Sequence, residues 1–174
     1  MSRGSLLTLP NILSLVRIPL AAAFLAMQGT PERVAIIGAA GVSDVLDGWI
    51  ARRRNAVTRW GALLDPVADR FFVFTAICAL LFSGTVGTAQ YFVFLSRDLA
   101  TAIGFLVARA IPWLRAVPFQ ARALGKAVTV LQQLFLLVAL LAPGYVNAML
   151  VTIALVSAAS IVDYTLMLWR ARPR

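Results

Sequence analysis

The sequence predicts an all-α integral membrane protein with about six transmembrane helices and cytoplasmic N and C termini. Three observations predict it. Of 174 residues, 61% are hydrophobic, and the mean hydropathy is +0.87. Apolar runs recur at close to the ~20 residues a helix needs to cross a hydrocarbon core. The basic residues between those runs fall on one side of the implied membrane. A soluble domain would need a polar coat, and 16 Lys and Arg with 7 Asp and Glu cannot supply one. No repeat, linker or low-complexity tract divides the chain, so residues 1–174 read as one membrane domain.

Met1 to Thr8 is a short polar start containing Arg3, and Leu9 to Met27 is the first span, interrupted by Pro10, Asn11, Arg17 and Pro19. Arg3 and the Ala21 to Ala23 cluster resemble parts of a cleaved signal peptide, but Arg17 splits what would be its apolar region. An arginine at membrane depth is costly against lipid, so Arg17 is expected to face the protein interior, with Asp163 in the last span as a conceivable partner. Gln28 to Glu32 makes a turn, and Arg33 to Ala51 is the second span, carrying Asp44 and Asp47 near its far end.

After a basic loop from Arg52 to Arg59, Gly61 to Ser83 forms the third span, with Asp65 and Asp69 in its first turns. Thr85 to Gln90 is an uncharged turn, and Tyr91 to Ala110 is the fourth span, carrying Arg97 and Asp98. Ile111 to Arg122 is a loop broken by Pro112 and Pro118, and Ala123 to Leu141 and Tyr145 to Trp169 complete the set. Arg3, the 52–59 loop, the stretch from Arg109 to Lys126 and the Arg170 to Arg174 tail share one side, while the opposite turns carry only Arg33 beside Glu32. The positive-inside rule makes that side cytoplasmic, which puts all four acids at the cytoplasmic boundary.

Charge and composition exclude several function classes. The net charge of +9 sits between hydrophobic spans and not on a soluble face, so the expected partners are anionic lipid headgroups of the bilayer and not nucleic acid. The single Cys78 lies in an apolar span, where it fills space and cannot form an intrachain disulfide. With no histidine in the chain, Ser-His triads, imidazole bases and the commonest zinc sites drop out, and acid-base chemistry falls to carboxylates.

The stretch from Asp44 to Asp69 carries the chemistry. On a helix, positions 44, 47, 48 and 51 share one face, and positions 61, 65 and 69 share another. Two such faces can converge. Four ionised carboxylates at membrane depth each cost several kcal/mol without partners, so cations must stand among them or some must be protonated. Two divalent ions would balance four charges. Carboxylate oxygens suit Mg²⁺, Mn²⁺ or Ca²⁺, and a pair of such ions is a common clamp for phosphoryl transfer. Gly48, Ala51 and Gly61 leave room for a ligand, and Arg52 can meet its phosphates. The bland alternatives are close helix packing for the glycines and a structural ion-pair network for the acids, with Arg52, Arg53, Arg54, Arg59 and Arg70 as partners. The regular acid spacing at one boundary weighs against the second.

The pattern Asp44-x2-Asp47-Gly48-x2-Ala51-Arg52-x8-Gly61-x3-Asp65-x3-Asp69 resembles the signature of the CDP-alcohol phosphatidyltransferase family without a mismatch. The resemblance extends, more loosely, to the six-helix layout. It implies transfer of a phosphatidyl group from CDP-diacylglycerol to an alcohol with release of CMP. It further implies two divalent cations, Mg²⁺ or Mn²⁺, held by Asp44, Asp47, Asp65 and Asp69. By the same resemblance Asp69 would also deprotonate the acceptor hydroxyl, Gly48, Ala51, Arg52 and Gly61 would line the CDP pocket, and the protein would be a homodimer.

Arg97, Asp98, Arg109, Arg115, Arg122 and Lys126 lie in or near the fourth span and the following loop. Arg97, Arg109 and Lys126 are the candidates to bind an anionic acceptor, against the alternative of surface attraction and topology signalling, which suits Arg115. Ser96-Arg97-Asp98, Arg109, Gly125-Lys126 and Thr129 look most similar to the cardiolipin-forming members, whose acceptor is phosphatidylglycerol. Members that use glycerol 3-phosphate are the alternative. A rival from another class is a divalent-cation transporter, since acids in membrane helices often mark ion pathways, but these acids cluster at one boundary and do not line a path.

Overall fold

Every regular element among the described residues of the computed structural model is helical. Residues 14–54, 61–110 and 123–170 are described, without the side chains of 47–54, 61–66, 105, 108, 109, 123, 167, 168 and 170. The helices are α1 (Arg17–Ala26), α2 (Thr30–Arg54), α3 (Gly61–Phe82), α4 (Thr88–Ala110), α5 (Ala123–Leu141) and α6 (Val146–Arg170), with a 3₁₀ turn at Pro143–Tyr145. Each falls on one of the six apolar runs. Leu124–Leu141 and Pro143–Leu166 are long and apolar enough to cross a membrane. Backbone contacts divide the chain into two compact units, Met1–Val86 and Gly87–Arg174.

In the first unit α1 packs along α3 and against α2. The buried positions of α1 are Arg17, Ala21 and Phe24, spaced four and three, so one stripe faces inward. Phe24 meets Phe72 of α3 edge-on at 6.3 Å, within a core that includes Val73, Ala76, Ile77 and Leu80. On α2 the inward stripe is Arg33, Ile37, Ala40 and Ser43. Val67, Phe71, Phe74 and Phe82 of α3 and Val42 and Val45 of α2 point outward and are exposed.

Two details of this unit were hidden in the sequence. Arg33 donates Nε to the Met27 carbonyl at 2.9 Å and stacks over Phe24 at 5.1 Å, so it caps the C-terminal end of α1 as well as marking topology. At the end of α3, Gly84 takes φ +73, and the bonds Thr85 N to Leu80 O and Gly84 N to Leu81 O close a Schellman turn. Only glycine occupies that backbone region freely.

The second unit packs α6 on α5 and on α4. Phe94 and Phe135 meet at 5.0 Å beside buried Leu136, Val146, Leu150 and Ile153. The buried positions 146, 150, 153, 157 and 160 of α6 repeat at steps of four and three, and its lower part presents Ser157 and Ser160, small enough for close helix approach. Here the sequence boundary was wrong by three residues. Thr85 to Gln90 reads as a turn, yet α4 begins at Thr88. Gly87 N–H donates to Gln90 Oε1 at 2.9 Å, which is half of a capping box, and Gln90 Nε2 reaches Asn147 Oδ1 on α6 at 2.8 Å.

Candidate functional site

The acid-bearing segments are uninterrupted helix on both sides of the basic loop. Positions 44, 47, 48, 51 and 52 all lie within α2, and 61, 65 and 69 within α3, so the spacing expected from the sequence is helical spacing in the structure. The side chains of Asp47, Gly48, Ala51, Arg52, Gly61 and Asp65, like the segment that contains Arg59, lie outside the described residues. Asp44 and Asp69 are described, and they meet at the same cation. Arg17 Nη2 donates to Asp44 Oδ1 at 2.8 Å, and Arg17 Nη1 stands 4.0 Å from Asp69 Oδ1.

The environments of the three groups differ in a useful way. Arg17 is 0% exposed and Asp69 9%, whereas the Asp44 side chain is 42% exposed. A buried guanidinium without carboxylates would be expensive, and two acids from two helices supply its counter-charge. The interior position expected for Arg17 is therefore observed. Its partners in this unit come from the acid constellation, where the sequence suggested only Asp163. The sequence set two divalent ions among the acids, with Arg52, Arg53, Arg54, Arg59 and Arg70 as the ion-pair alternative, and a cation observed beside Asp44 and Asp69 is Arg17 of the first helix.

The stripe that buries Arg17 also fixes it. Arg17, Ala21 and Phe24 occupy one face of α1, and the contacts Arg17 to Asp69 and Phe24 to Phe72 follow one another in the same order along α1 and α3. The two helices thus run side by side in the same sense. The donor set that converges here is made of carboxylate oxygens, which fits a hard divalent cation and excludes nothing about its number. Asp47 lies three residues beyond Asp44 and Asp65 four before Asp69, each on the face of its helix that carries the described acid.

In the second unit the structure builds a polar cluster around Arg97. Arg97 is 9% exposed and donates Nη1 to Asp98 Oδ1 at 3.2 Å. Gln132 of α5, fully buried, donates Nε2 to Asp98 Oδ2 at 2.7 Å and to the Phe94 carbonyl at 3.0 Å. Arg97 Nη2 lies against Gly125, where a Cβ would come within 2.5 Å of it. Arg97 Nε is buried and has no hydrogen-bond partner among the described residues. That leaves a donor for an anion.

Of the other residues expected to hold an acceptor, Lys126 follows Gly125 directly and is exposed on α5, and Arg109 lies on α4 with its side chain outside the described residues. Sequence reasoning missed Gln132. Its only signal was an amide inside an apolar run, and its partner is 34 residues away.

Comparison with known proteins places this geometry. A family model described as CDP-alcohol phosphatidyltransferase matches residues 7–162. The chain is 34% identical over 134 residues to a cardiolipin synthase (CMP-forming) of Streptomyces coelicolor, covering 71% of this chain and 60% of that protein. It is 38% identical over 135 residues to a putative cardiolipin synthase of Mycobacterium tuberculosis, covering 74% and 62%. It is 33% identical over 110 residues to a CDP-diacylglycerol–glycerol-3-phosphate 3-phosphatidyltransferase of Aquifex aeolicus, covering 59% and 62%. The chain thus spans about three fifths of the length of these curated relatives. With the match running through both acid helices and on into α6, the chain belongs to the CDP-alcohol phosphatidyltransferase family.

Proposed function

We propose that this protein is a multi-pass membrane enzyme of phospholipid biosynthesis that transfers the phosphatidyl group of CDP-diacylglycerol to phosphatidylglycerol, forming cardiolipin and CMP. The observation that carries the reading is the convergence of Asp44 and Asp69, from two helices of the family signature, on one buried guanidinium. That acids from α2 and α3 approach one cation supports reading the signature acids as a single site.

In this reading Asp44, Asp47, Asp65 and Asp69 hold two divalent cations, Mg²⁺ or Mn²⁺, which when bound neutralise the charge that develops on the phosphates. Gly48, Ala51, Arg52 and Gly61 line the pocket for CDP, with Arg52 on its phosphates. Asp69 accepts the proton of the acceptor hydroxyl. The freed oxygen attacks the phosphorus on the diacylglycerol side, the bond from that phosphorus to the bridging oxygen breaks, and CMP leaves with the electron pair. Arg97, Arg109 and Lys126 hold the phosphate of the acceptor, and the spare Nε of Arg97 supports this assignment.

The six helices span the bilayer with both termini and the acids at the cytoplasmic face, and the working form is a homodimer. The one-sided distribution of basic residues supports the orientation. A second acceptor, glycerol 3-phosphate, is favoured by the likeness to the Aquifex aeolicus protein, whose name carries that substrate.

Purified protein given CDP-diacylglycerol with Mg²⁺ or Mn²⁺, and each acceptor separately, tests the reading. CMP and cardiolipin are expected with phosphatidylglycerol. CMP release with glycerol 3-phosphate alone transfers the assignment to the second acceptor, and divalent-ion flux in liposomes without CMP release replaces it with a transporter.

A further inference from the structure

At the ends of α1 and α3 away from the acids, the first unit holds a pocket of about 450 Å³ that the proposed reaction does not use. Leu25, Gln28, Arg33, Ala79, Phe82 and Ser83 line it. About 20 Å of helix axis separates Phe82 from Asp69 on α3. Arg33 and Ala79 are buried, at 9% and 7% exposure, whereas Leu25 and Phe82 stand open at 55% and 88%. The pocket thus has a cation in its depth and an apolar rim. The guanidinium is held in two ways, by the Nε bond to the Met27 carbonyl at 2.9 Å and by the Phe24 ring against its face at 5.1 Å. A stacked guanidinium keeps its N–H edges in plane and clear of the ring. Arg33 makes no other side-chain hydrogen bond and no ion pair among the described residues, so Nη1 and Nη2 keep their donors.

A charge this deep is costly without a counter-charge. The Gln28 amide on the same pocket wall is exposed and adds a donor. Two carbonyls at these helix ends that would oppose an anion are already engaged, Met27 O by Arg33 and Leu80 O by Thr85 N and the Ser83 hydroxyl. A fixed planar fork with free donors matches phosphate oxygens, and the apolar rim matches the acyl chain joined to them in a lipid. Free phosphate would bring the charge and leave Leu25 and Phe82 unused. We propose that this pocket binds an anionic phospholipid, with its phosphate on Arg33 and Gln28 and a chain along Leu25 and Phe82. The proposal rests on the reading of the chain as membrane-spanning and on no step of the transfer reaction. In that topology the pocket faces the leaflet opposite the acids, so it takes a resident bilayer lipid and not a substrate.

The test uses the delipidated full chain in nonionic detergent with EDTA. Its affinity for dioleoylphosphatidic acid, which has no alcohol hydroxyl to serve as acceptor, is read from the rise in unfolding temperature as lipid is added. Dioleoylphosphatidylcholine and inorganic phosphate are the comparison ligands. Phosphatidic acid is expected to stabilise the wild type, phosphatidylcholine to bind about tenfold more weakly, and excess inorganic phosphate not to displace the lipid. Arg33→Gln is expected to weaken phosphatidic acid binding by about tenfold or more. That variant also loses the bond to the Met27 carbonyl, so Leu25→Glu gives a second reading. It keeps the contacts of Arg33, sets a carboxylate at the exposed rim and should weaken the lipid as strongly, with Leu25→Gln between it and the wild type. Unchanged phosphatidic acid affinity in Arg33→Gln, or in Leu25→Glu where Arg33→Gln fails to fold, overturns the proposal. Equal binding of phosphatidylcholine overturns it too, as does displacement by inorganic phosphate, which reassigns the pocket to a free anion. CMP release is measured separately, so a failed transferase reading and an empty lipid pocket give different results.

Discussion

Gln132 holds Asp98 from the neighbouring helix, donating Nε2 to Oδ2 at 2.7 Å, while Arg97 donates to the other oxygen of the same carboxylate at 3.2 Å. One acid therefore links a fully buried amide to the arginine assigned to the acceptor phosphate. Replacing Gln132 by Leu removes its bonds to the Asp98 carboxylate and to the Phe94 carbonyl, worth about 1.5–3 kcal/mol and about 0.5–1.5 kcal/mol respectively. The expected outcome is a lowered unfolding temperature in detergent and a raised KM for the acceptor, measured by CMP release at varied acceptor concentration.

Gly125→Ala acts on the same arginine from the other side. The new methyl would stand about 2.5 Å from Arg97 Nη2, so the guanidinium has to move. Helix propensity favours the alanine by about 1 kcal/mol, which keeps the fold. Acceptor KM is expected to rise several-fold while the KM for CDP-diacylglycerol stays within twofold. An unchanged acceptor KM would remove Arg97 from the acceptor site.

Asp69→Asn keeps the size of the side chain and removes its basicity. In the proposed reaction Asp69 takes the hydroxyl proton, a role worth about 10²–10⁴ in rate, so turnover is expected to fall by at least the lower figure with unfolding by circular dichroism little changed. Near-normal CMP release in this variant would leave Asp69 without its role as base.

Chelation offers a reversible test of the metal requirement. Treatment with EDTA is expected to abolish CMP release, and added Mg²⁺ or Mn²⁺ to restore it. Activity that survives chelation and dialysis would contradict the assignment of Asp44, Asp47, Asp65 and Asp69 as cation ligands.

A substitution far from this chemistry serves as control. Gly84 closes the turn after α3 at φ +73, and alanine there costs about 1–2 kcal/mol of backbone strain. Gly84→Ala should lower the unfolding temperature by a few degrees and leave CMP release per folded molecule unchanged.

How much of this was legible in the sequence depends on the range of the interaction. Apolar run length and four-residue acid spacing are local, so the six helices and the two acid-bearing faces could be read directly. The start of α4 was missed because a glutamine side chain, not a change in hydropathy, caps it. The partnership of Arg17 with Asp44 spans 27 residues and depends on which faces of α1, α2 and α3 turn toward one another. An apolar stripe predicts that a face is buried, and it does not say against what. Arg33 shows the same limit, since its bond to the Met27 carbonyl and its place over Phe24 are invisible in a charge count.

The seat of Arg17 on α1 has a consequence for building with this protein. The signature that identifies the family runs from Asp44 to Asp69 and is carried on two helices, which makes that hairpin look portable. A graft of α2 and α3 alone into another bundle would transplant the acids and leave behind a cation on which two of them close. The smallest piece worth moving is three helices, with the first included for its charge as much as for its packing.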